Sequence, residues 1–348
     1  MNFIKSSTYV VERTPPENLK EKDLVNFQHE LKREFSSPKI LMKRRVFVHQ
    51  QKLWKYKHFN AFSNHWRMSN FWIRHKINLF VKNLINVISL KNNIDYEVIP
   101  KASWVIDQKS WKYMHWFSDA LQRIEFIKDF LNDYPVILFK HYENYEYIKY
   151  TLKKLEIPFL LLEREKYYLV EELLISTHVA PSGNYNEKII NDVATKLTNT
   201  KKSTEAFDET KYERIWVSRQ NAKIRRESNF KDLKNVLDKY NFKILVLENL
   251  NYIDQVNIFL NTKILTGIHG AGLINMIFMK KGTKVLEVRS SHDNKNNCYF
   301  SLASALKIKY FYSGAEVNED SGGAHSSDYK IDLVELEKNL LSIINKDT

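Results

Sequence analysis

Three short stretches of this chain carry residue types at spacings that could do chemistry. The first is Thr266-Gly267-Ile268-His269-Gly270-Ala271-Gly272-Leu273, which holds three of the 8 glycines in the whole sequence. It follows the apolar run Lys263-Ile264-Leu265 and leads into a helix-like run at 273–280, closed by Gly282. Glycines at a strand-to-helix turn let backbone N–H groups come close to a ligand, and the partial positive charge of a helix start makes phosphate the natural guest. A tight turn without a ligand is the competing reading, and the embedded His269 weighs against it. The second stretch, Ser218-Arg219-Gln220-Asn221-Ala222-Lys223-Ile224-Arg225-Arg226, places four cations within eight residues. Guanidinium forks suit phosphate oxygens and do not lose their charge. In the third stretch, His115, Asp119 and Arg123 follow at intervals of four and share one helix face. A carboxylate beside an imidazole can serve as a general base; surface ion pairing is the plainer alternative.

The elements that must position these residues are clearest in the C-terminal half. Strand-like runs at 214–218, 242–247, 263–266, 283–288 and 308–312 alternate with helical patterns at 228–240, 252–260, 273–280 and 296–306, with Ser228 placed as an N-cap. Strict alternation of this kind predicts a doubly wound parallel sheet. Ligands bind outside the carboxyl ends of such strands, and Ser218, Arg219, Glu248, His269, Glu287 and Arg289 fall there. In the N-terminal half, strands at 135–139 and 158–162 with helices at 116–132 and 145–155 predict a second α/β unit. Further helices are expected at 186–197 and 332–344, and residues 35–94 as an inserted helical element. The expected organisation is an N-terminal α/β domain at 1–205 carrying that insertion, a nucleotide-binding domain at 206–318, and a loop and helix at 319–348.

Charge is uneven. The net charge is +13, and residues 35–94 contain twelve Lys or Arg and no Asp or Glu, so most of the excess is local. Trp54, Trp66 and Trp72 are interleaved among these cations. A basic, aromatic-rich surface attracts anionic membrane headgroups, nucleic acid or an acidic substrate. With no zinc spacing or RNP-like run, nucleic acid is the weakest of these partners. The sequence shows no basic-then-apolar leader, no apolar run of about 18 residues and a single cysteine, Cys298; it reads as cytoplasmic. Metal-ligand spacings such as His-Glu-x-x-His or Asp-x-Asp are missing, and Ser218 does not sit in a nucleophile-elbow sequence.

Taken in order, the motifs resemble glycosyltransferase family 61. The matching residues are His115, Trp116, Asp119, Leu121 and Arg123; Ser218, Arg219, Ala222, Arg225 and Arg226; Gln255; His269-Gly270-Ala271-Gly272-Leu273 with Asn275; and Glu287. Arg13-Thr14-Pro15-Pro16-Glu17-Asn18 also looks like the family's opening. The resemblance covers about 100–315 and leaves 35–94 aside; Gln122 stands where the family often has Pro, and Phe230 where it often has Glu. The bacterial members are often described as capsular polysaccharide biosynthesis proteins, and eukaryotic relatives include O-linked GlcNAc transferases.

The resemblance implies a GT-B fold, two Rossmann-like domains facing a cleft, and inverting, metal-independent transfer from a nucleotide sugar to a hydroxyl of a surface glycan. It implies no cofactor. The donor would meet Ser218, Arg219, Arg225, Arg226, the amides of Gly270, Ala271 and Gly272, and Leu273, Asn275 and Glu287, the last through the ribose. Cations and a helix start would neutralise the leaving diphosphate. Asp119 would be the base with His115 supporting it, and His269 is the alternative base. Lys52, Trp54, Lys55, Lys57, Arg74 and Lys76 would meet a lipid-linked acceptor or an anionic membrane at its inner face. Two rivals stand beside this reading. A dehydrogenase or epimerase would carry its glycine fingerprint after the first strand rather than the third. A non-enzymatic nucleic-acid-binding protein would bind with a steep salt dependence.

Overall fold

The computed structural model describes residues 7–55, 95–199, 212–290, 296–317 and 326–345. The chain divides into two compact units: Met1–Pro38, Lys112–Glu125 and His178–Thr348 form one, Lys39–Trp111 and Phe126–Thr177 the other. Both are mixed α/β, each with a sheet rich in parallel pairs.

The first unit opens with an antiparallel pair, β1 (Thr8–Glu12) and β2 (Lys32–Ser36), joined through a helix at Leu24–Leu31. The second unit is a sheet of β3 (Ile40–His49), β4 (Lys52–Lys55), β5 (Tyr96–Trp104), β6 (Val136–Phe139), β7 (Phe159–Leu162) and β8 (Tyr167–Ser176) in the order β4-β3-β8-β5-β6-β7. The strands β8, β5, β6 and β7 run parallel, while β3 and β4 add antiparallel at one edge. The helical insertion expected from residue 35 is corrected here: 40–49 and 52–55 are strands. Val46, Phe47 and Val48 have strong β preference, and no helical period links them. Residues 56–94, with Lys57, Arg74 and Lys76, lie outside the described residues, as do the side chains of Trp54 and Lys55.

The first unit continues with β9 (Arg214–Val217), β10 (Lys243–Leu245), β11 (Ile264–Ile268), β12 (Lys284–Ser290), β13 (Lys309–Val317) and β14 (Tyr329–Ile331), in the order β10-β9-β11-β12-β13-β14. Five of the six strands are parallel and β14 closes one edge antiparallel. Trp216, Ile264, Leu286 and Phe311 bury one face of this sheet against Leu233 and Leu237 of the helix Phe230–Lys239 and Leu340 and Ile343 of the helix Leu333–Asn345. The central strands β11 and β12 have no exposed residue, as expected for parallel strands covered on both faces. Two local expectations change. The helix after the glycine turn is a 3-10 helix, Ala271–Phe278. Ser228 does not cap: its hydroxyl donates to the Tyr329 carbonyl, and Asn229 is the residue before the helix.

Candidate active site

The glycine turn follows β11, and the His269 amide donates to the Val288 carbonyl at 2.9 Å, which fastens the turn to β12. Its glycines are required by close approach. A Cβ on Gly272 would stand 2.7 Å from Val217 Cγ1, one on Gly267 3.1 Å from the Val217 carbonyl, and one on Gly270 2.6 Å from an Arg219 guanidinium nitrogen. The first bond of the 3-10 helix runs from the Leu273 amide to the Gly270 carbonyl, so the Ala271 and Gly272 amides precede it in the turn where donors are left over.

The basic loop after β9 packs onto this turn. Glu227, almost fully buried, accepts from Trp216 Nε1 and the Arg219 amide, both at 3.0 Å, and from Gln220 Nε2 at 2.9 Å. That carboxylate ties both ends of the loop to β9. Arg219 donates from Nε to the Arg225 carbonyl at 2.9 Å and from its terminal nitrogen to the Ile224 carbonyl at 3.1 Å. Arg225 holds a left-handed backbone, φ 58°, and donates to the His269 carbonyl at 3.1 Å. Its Nε is buried with no hydrogen-bond partner among the described residues. Burial, and then the neighbouring Arg225 charge, push the Arg219 pKa below the usual arginine value. Two guanidinium groups that disfavour each other at the head of a glycine turn make a place for an anion. Arg226 is different: it is exposed and forks onto Asp328, at 2.8 and 3.1 Å to one oxygen. Of the three expected phosphate arginines, the structure brings together Arg219 and Arg225.

His269 is fixed on both ring nitrogens. Nδ1 pairs with Glu287 Oε1, and Nε2 lies 2.9 Å from the Asn296 amide nitrogen. Glu287 is fully buried, and the Tyr310 hydroxyl donates to its second oxygen at 2.5 Å. Burial raises this carboxyl, but the charge and hydrogen bond of His269, with Arg289 and Tyr310, overcome the effect and leave its pKa below the ordinary glutamate value. The ribose role expected for Glu287 is therefore corrected: both oxygens are engaged and neither reaches the surface, so Glu287 orients His269. Leu273 and Asn275 are likewise buried and shape the turn. Ser218 lies buried at the end of β9, its amide bonded to the Leu245 carbonyl at 2.8 Å.

His115 and Asp119 occupy an irregular helix: an α-helical turn Tyr113–His115, a π-helical turn Trp116–Ala120, then α-helix again at Leu121–Phe126. A π turn inserts an extra residue into the helix and re-aims the side chains around it. His115 Nδ1 lies 2.8 Å from Asp119 Oδ2. The same carboxylate accepts from the Ser118 hydroxyl on Oδ1 and the Ser182 hydroxyl on Oδ2, each at 2.9 Å. Asp119 is thus buried and surrounded by donors, while no hydrogen bond among the described residues engages His115 Nε2. This helix belongs to the same compact unit as the glycine turn. The Tyr113 hydroxyl donates to Asn275 Oδ1 at 2.5 Å, and Asn275 Nδ2 donates to the Gly272 carbonyl at 3.0 Å, which links the two. Between them lie the buried phenols Tyr185 and Tyr299: Tyr185 senses the Asp119 charge, and Tyr299 senses Arg225 and Arg219 and packs 5.0 Å from the His269 ring.

Sequence reasoning missed Ser182, Glu227 and Asn296. Ser182 and Asn296 lie in loops without a spacing signal, and Glu227 sat unremarked directly behind the arginines.

These parts define an α/β unit that combines cations at strand ends with an imidazole–carboxylate pair. The chain belongs to the glycosyltransferase 61 family, whose model matches residues 113–286, half of the 348-residue chain. Among similar proteins are those named EGF domain-specific O-linked N-acetylglucosamine transferase. The one from Drosophila melanogaster is 32% identical over 108 residues, 28% of this chain and 20% of that protein. Those from Mus musculus and Bos taurus are 27% and 26% identical over 209 and 239 residues, covering 59% and 67% of this chain and 36% and 40% of theirs. The chain therefore spans well under half the length of the curated relatives it matches.

Proposed function

We propose that this chain is a glycosyltransferase that moves a sugar from a nucleotide-sugar donor to a hydroxyl of a growing surface glycan, with inversion and without a metal. The observation that carries the donor half is the pair Arg219 and Arg225 at the glycine turn, with the Arg225 Nε buried and without a hydrogen-bond partner among the described residues. Two fixed guanidinium groups and the Ala271 and Gly272 amides supply the charge stabilisation that a departing diphosphate needs. In the acceptor half, Asp119 has its oxygens occupied by three donors, so it serves to hold the His115 ring. His115 Nε2 is then the atom that takes the acceptor proton, a division of labour familiar wherever a carboxylate fixes an imidazole tautomer. Among the described residues no group of three His, Cys, Asp or Glu is gathered as metal ligands; metal independence rests on the cations instead.

The GT-B pairing of two Rossmann-like domains, and peripheral contact with an anionic membrane through the basic 35–94 stretch, belong to the same proposal. So does the sugar: the relatives' name makes a nucleotide-linked N-acetylglucosamine the first donor to try. The test is a titration of the protein with UDP, GDP and CMP and their sugars, with and without EDTA. Binding of one nucleoside diphosphate, insensitive to EDTA and lost in Arg219→Ala and Arg225→Ala, supports the donor site; binding to none of them overturns it. On the acceptor side, His115→Gln and Asp119→Asn should each lower transfer by roughly 100- to 10,000-fold with donor binding retained.

A further inference from the structure

The Ser182 hydroxyl is held at the imidazole–carboxylate pair by a purpose-shaped turn. Residues Pro181, Ser182, Gly183 and Asn184 form a β-turn closed by the Asn184 amide on the Pro181 carbonyl at 2.8 Å. Gly183 takes φ 80°, the left-handed value that the third position of a type II turn requires. The turn is anchored from two sides. Arg13, buried, donates to Asn184 Oδ1 at 2.8 Å, and Gln122, one helical turn beyond Ser118, donates to the Asn184 carbonyl at 3.3 Å and accepts from the Asn186 amide at 2.9 Å. Gly183 packs so closely on Cys298 that an added Cβ would stand 3.2 Å from the Cys298 Cβ. The common product of these anchors is the placement of one hydroxyl on Asp119 Oδ2, the oxygen that also receives His115 Nδ1.

We propose that Ser182 is a positioning residue that shares Asp119 Oδ2 with the His115 ring and thereby sets how strongly the carboxylate holds the imidazolium. The proposal rests on the reading of His115 as the base. A hydroxyl donating to a carboxylate draws part of its negative charge away from the second donor. With the hydroxyl removed, Asp119 Oδ2 is shared with one donor fewer, and the carboxylate grips the protonated ring harder. Other groups facing the pair are the Ser118 hydroxyl from the same helix and the buried phenol of Tyr185 beyond the turn, with Cys298 and Tyr299 behind it. Burial pushes both tyrosines well above the usual phenol value, so they stay neutral across the range that matters.

The experiment follows the His115 ring by NMR in the full-length chain with labelled histidine, in the parent protein and in Ser182→Ala and Ser182→Thr. The expected result is an upward move of the measured His115 titration curve in Ser182→Ala and a return to the parent curve in Ser182→Thr, which keeps the hydroxyl. The acid limb of the transfer rate should move with it. An unchanged His115 titration in Ser182→Ala overturns the proposal, as does a shift of equal size in Ser182→Thr. The two readings fail separately: if His115→Gln retains full transfer activity, the base assignment falls whatever the NMR shows, whereas an unmoved titration alongside an inactive His115→Gln removes only the role given to Ser182.

Discussion

Alanine at position 270 separates binding from folding at the glycine turn. Gly270 has φ 177° and ψ 166°, an extended backbone that alanine adopts without strain. The added methyl meets a single obstacle, the end of the Arg219 side chain at 2.6 Å, which can swing aside. The packed core is untouched, so the fold should persist, while Arg219 gives up its bonds to the Arg225 and Ile224 carbonyls and leaves the position in which it flanks Arg225. A hydrogen bond from a charged group is worth roughly 1.5–3 kcal/mol, so losing one such contact to a phosphate weakens nucleoside diphosphate binding by roughly 10- to 100-fold. Gly272→Ala is the control with the opposite outcome. Its methyl would lie 2.7 Å from Val217 Cγ1 and 3.4 Å from Leu247 Cδ1, inside packed core, and overpacking of that kind costs about 1–3 kcal/mol. Calorimetric titration and thermal unfolding of both variants read the two quantities independently. A Gly270→Ala protein that binds nucleoside diphosphate like the parent would refute the placement of Arg219 in the donor site.

Glu287→Gln tests the buried pair by pH. The folded pKa of Glu287 lies below its ordinary value, so its stabilising contribution is present above the unfolded value and lost as pH falls through the folded one. Glu287→Gln should destabilise by about 3 kcal/mol at neutral pH, with the gap to the parent closing below about pH 4; a gap that is constant with pH in urea unfolding would contradict this. Gly183→Ala forces a side chain into φ 80° and should cost about 1–2 kcal/mol, read as a lowered melting temperature. Neutralising Lys52, Lys55, Lys57, Arg74 and Lys76 together should weaken sedimentation with anionic vesicles at low salt, and unchanged binding would end the membrane reading.

The C-terminal sheet was legible because its strands are short apolar runs separated by helices of clear period, and each of the five parallel strands was anticipated within a few residues. What periodicity could not supply was β8, where Tyr168, Leu169, Val170, Leu173, Leu174 and Ile175 are all buried and no alternation separates strand from buried helix. The site was half legible. Residue chemistry pointed to Arg219, Arg225, His115 and Asp119, but not to Arg226 turning away onto Asp328, because a neighbour 102 positions distant leaves no local trace. Glu287 was misjudged for a related reason: its pairing with Tyr310 and His269 spans three strands' worth of chain, and only the folded sheet reveals that its oxygens are spoken for.

The unit that carries the site is assembled from three separate segments, and this has a consequence for how the chain comes off the ribosome. Arg13 meets Asn184, Asn18 meets Asn339 and Lys20 meets Glu335, partners 171, 321 and 315 residues apart. The segment that carries Asn18 and Lys20 emerges well ahead of Asn339 and Glu335, by roughly tens of seconds at ordinary elongation rates. Meanwhile Lys39–Trp111 and Phe126–Thr177 can complete their own sheet. During that interval Phe27, which ends buried against Phe300, Tyr310 and Tyr312, has nothing to pack on. Until β13 and the helix Leu333–Asn345 are made, the early segment lacks the partners that complete the site-bearing unit, so that unit is finished only after the other has had time to fold.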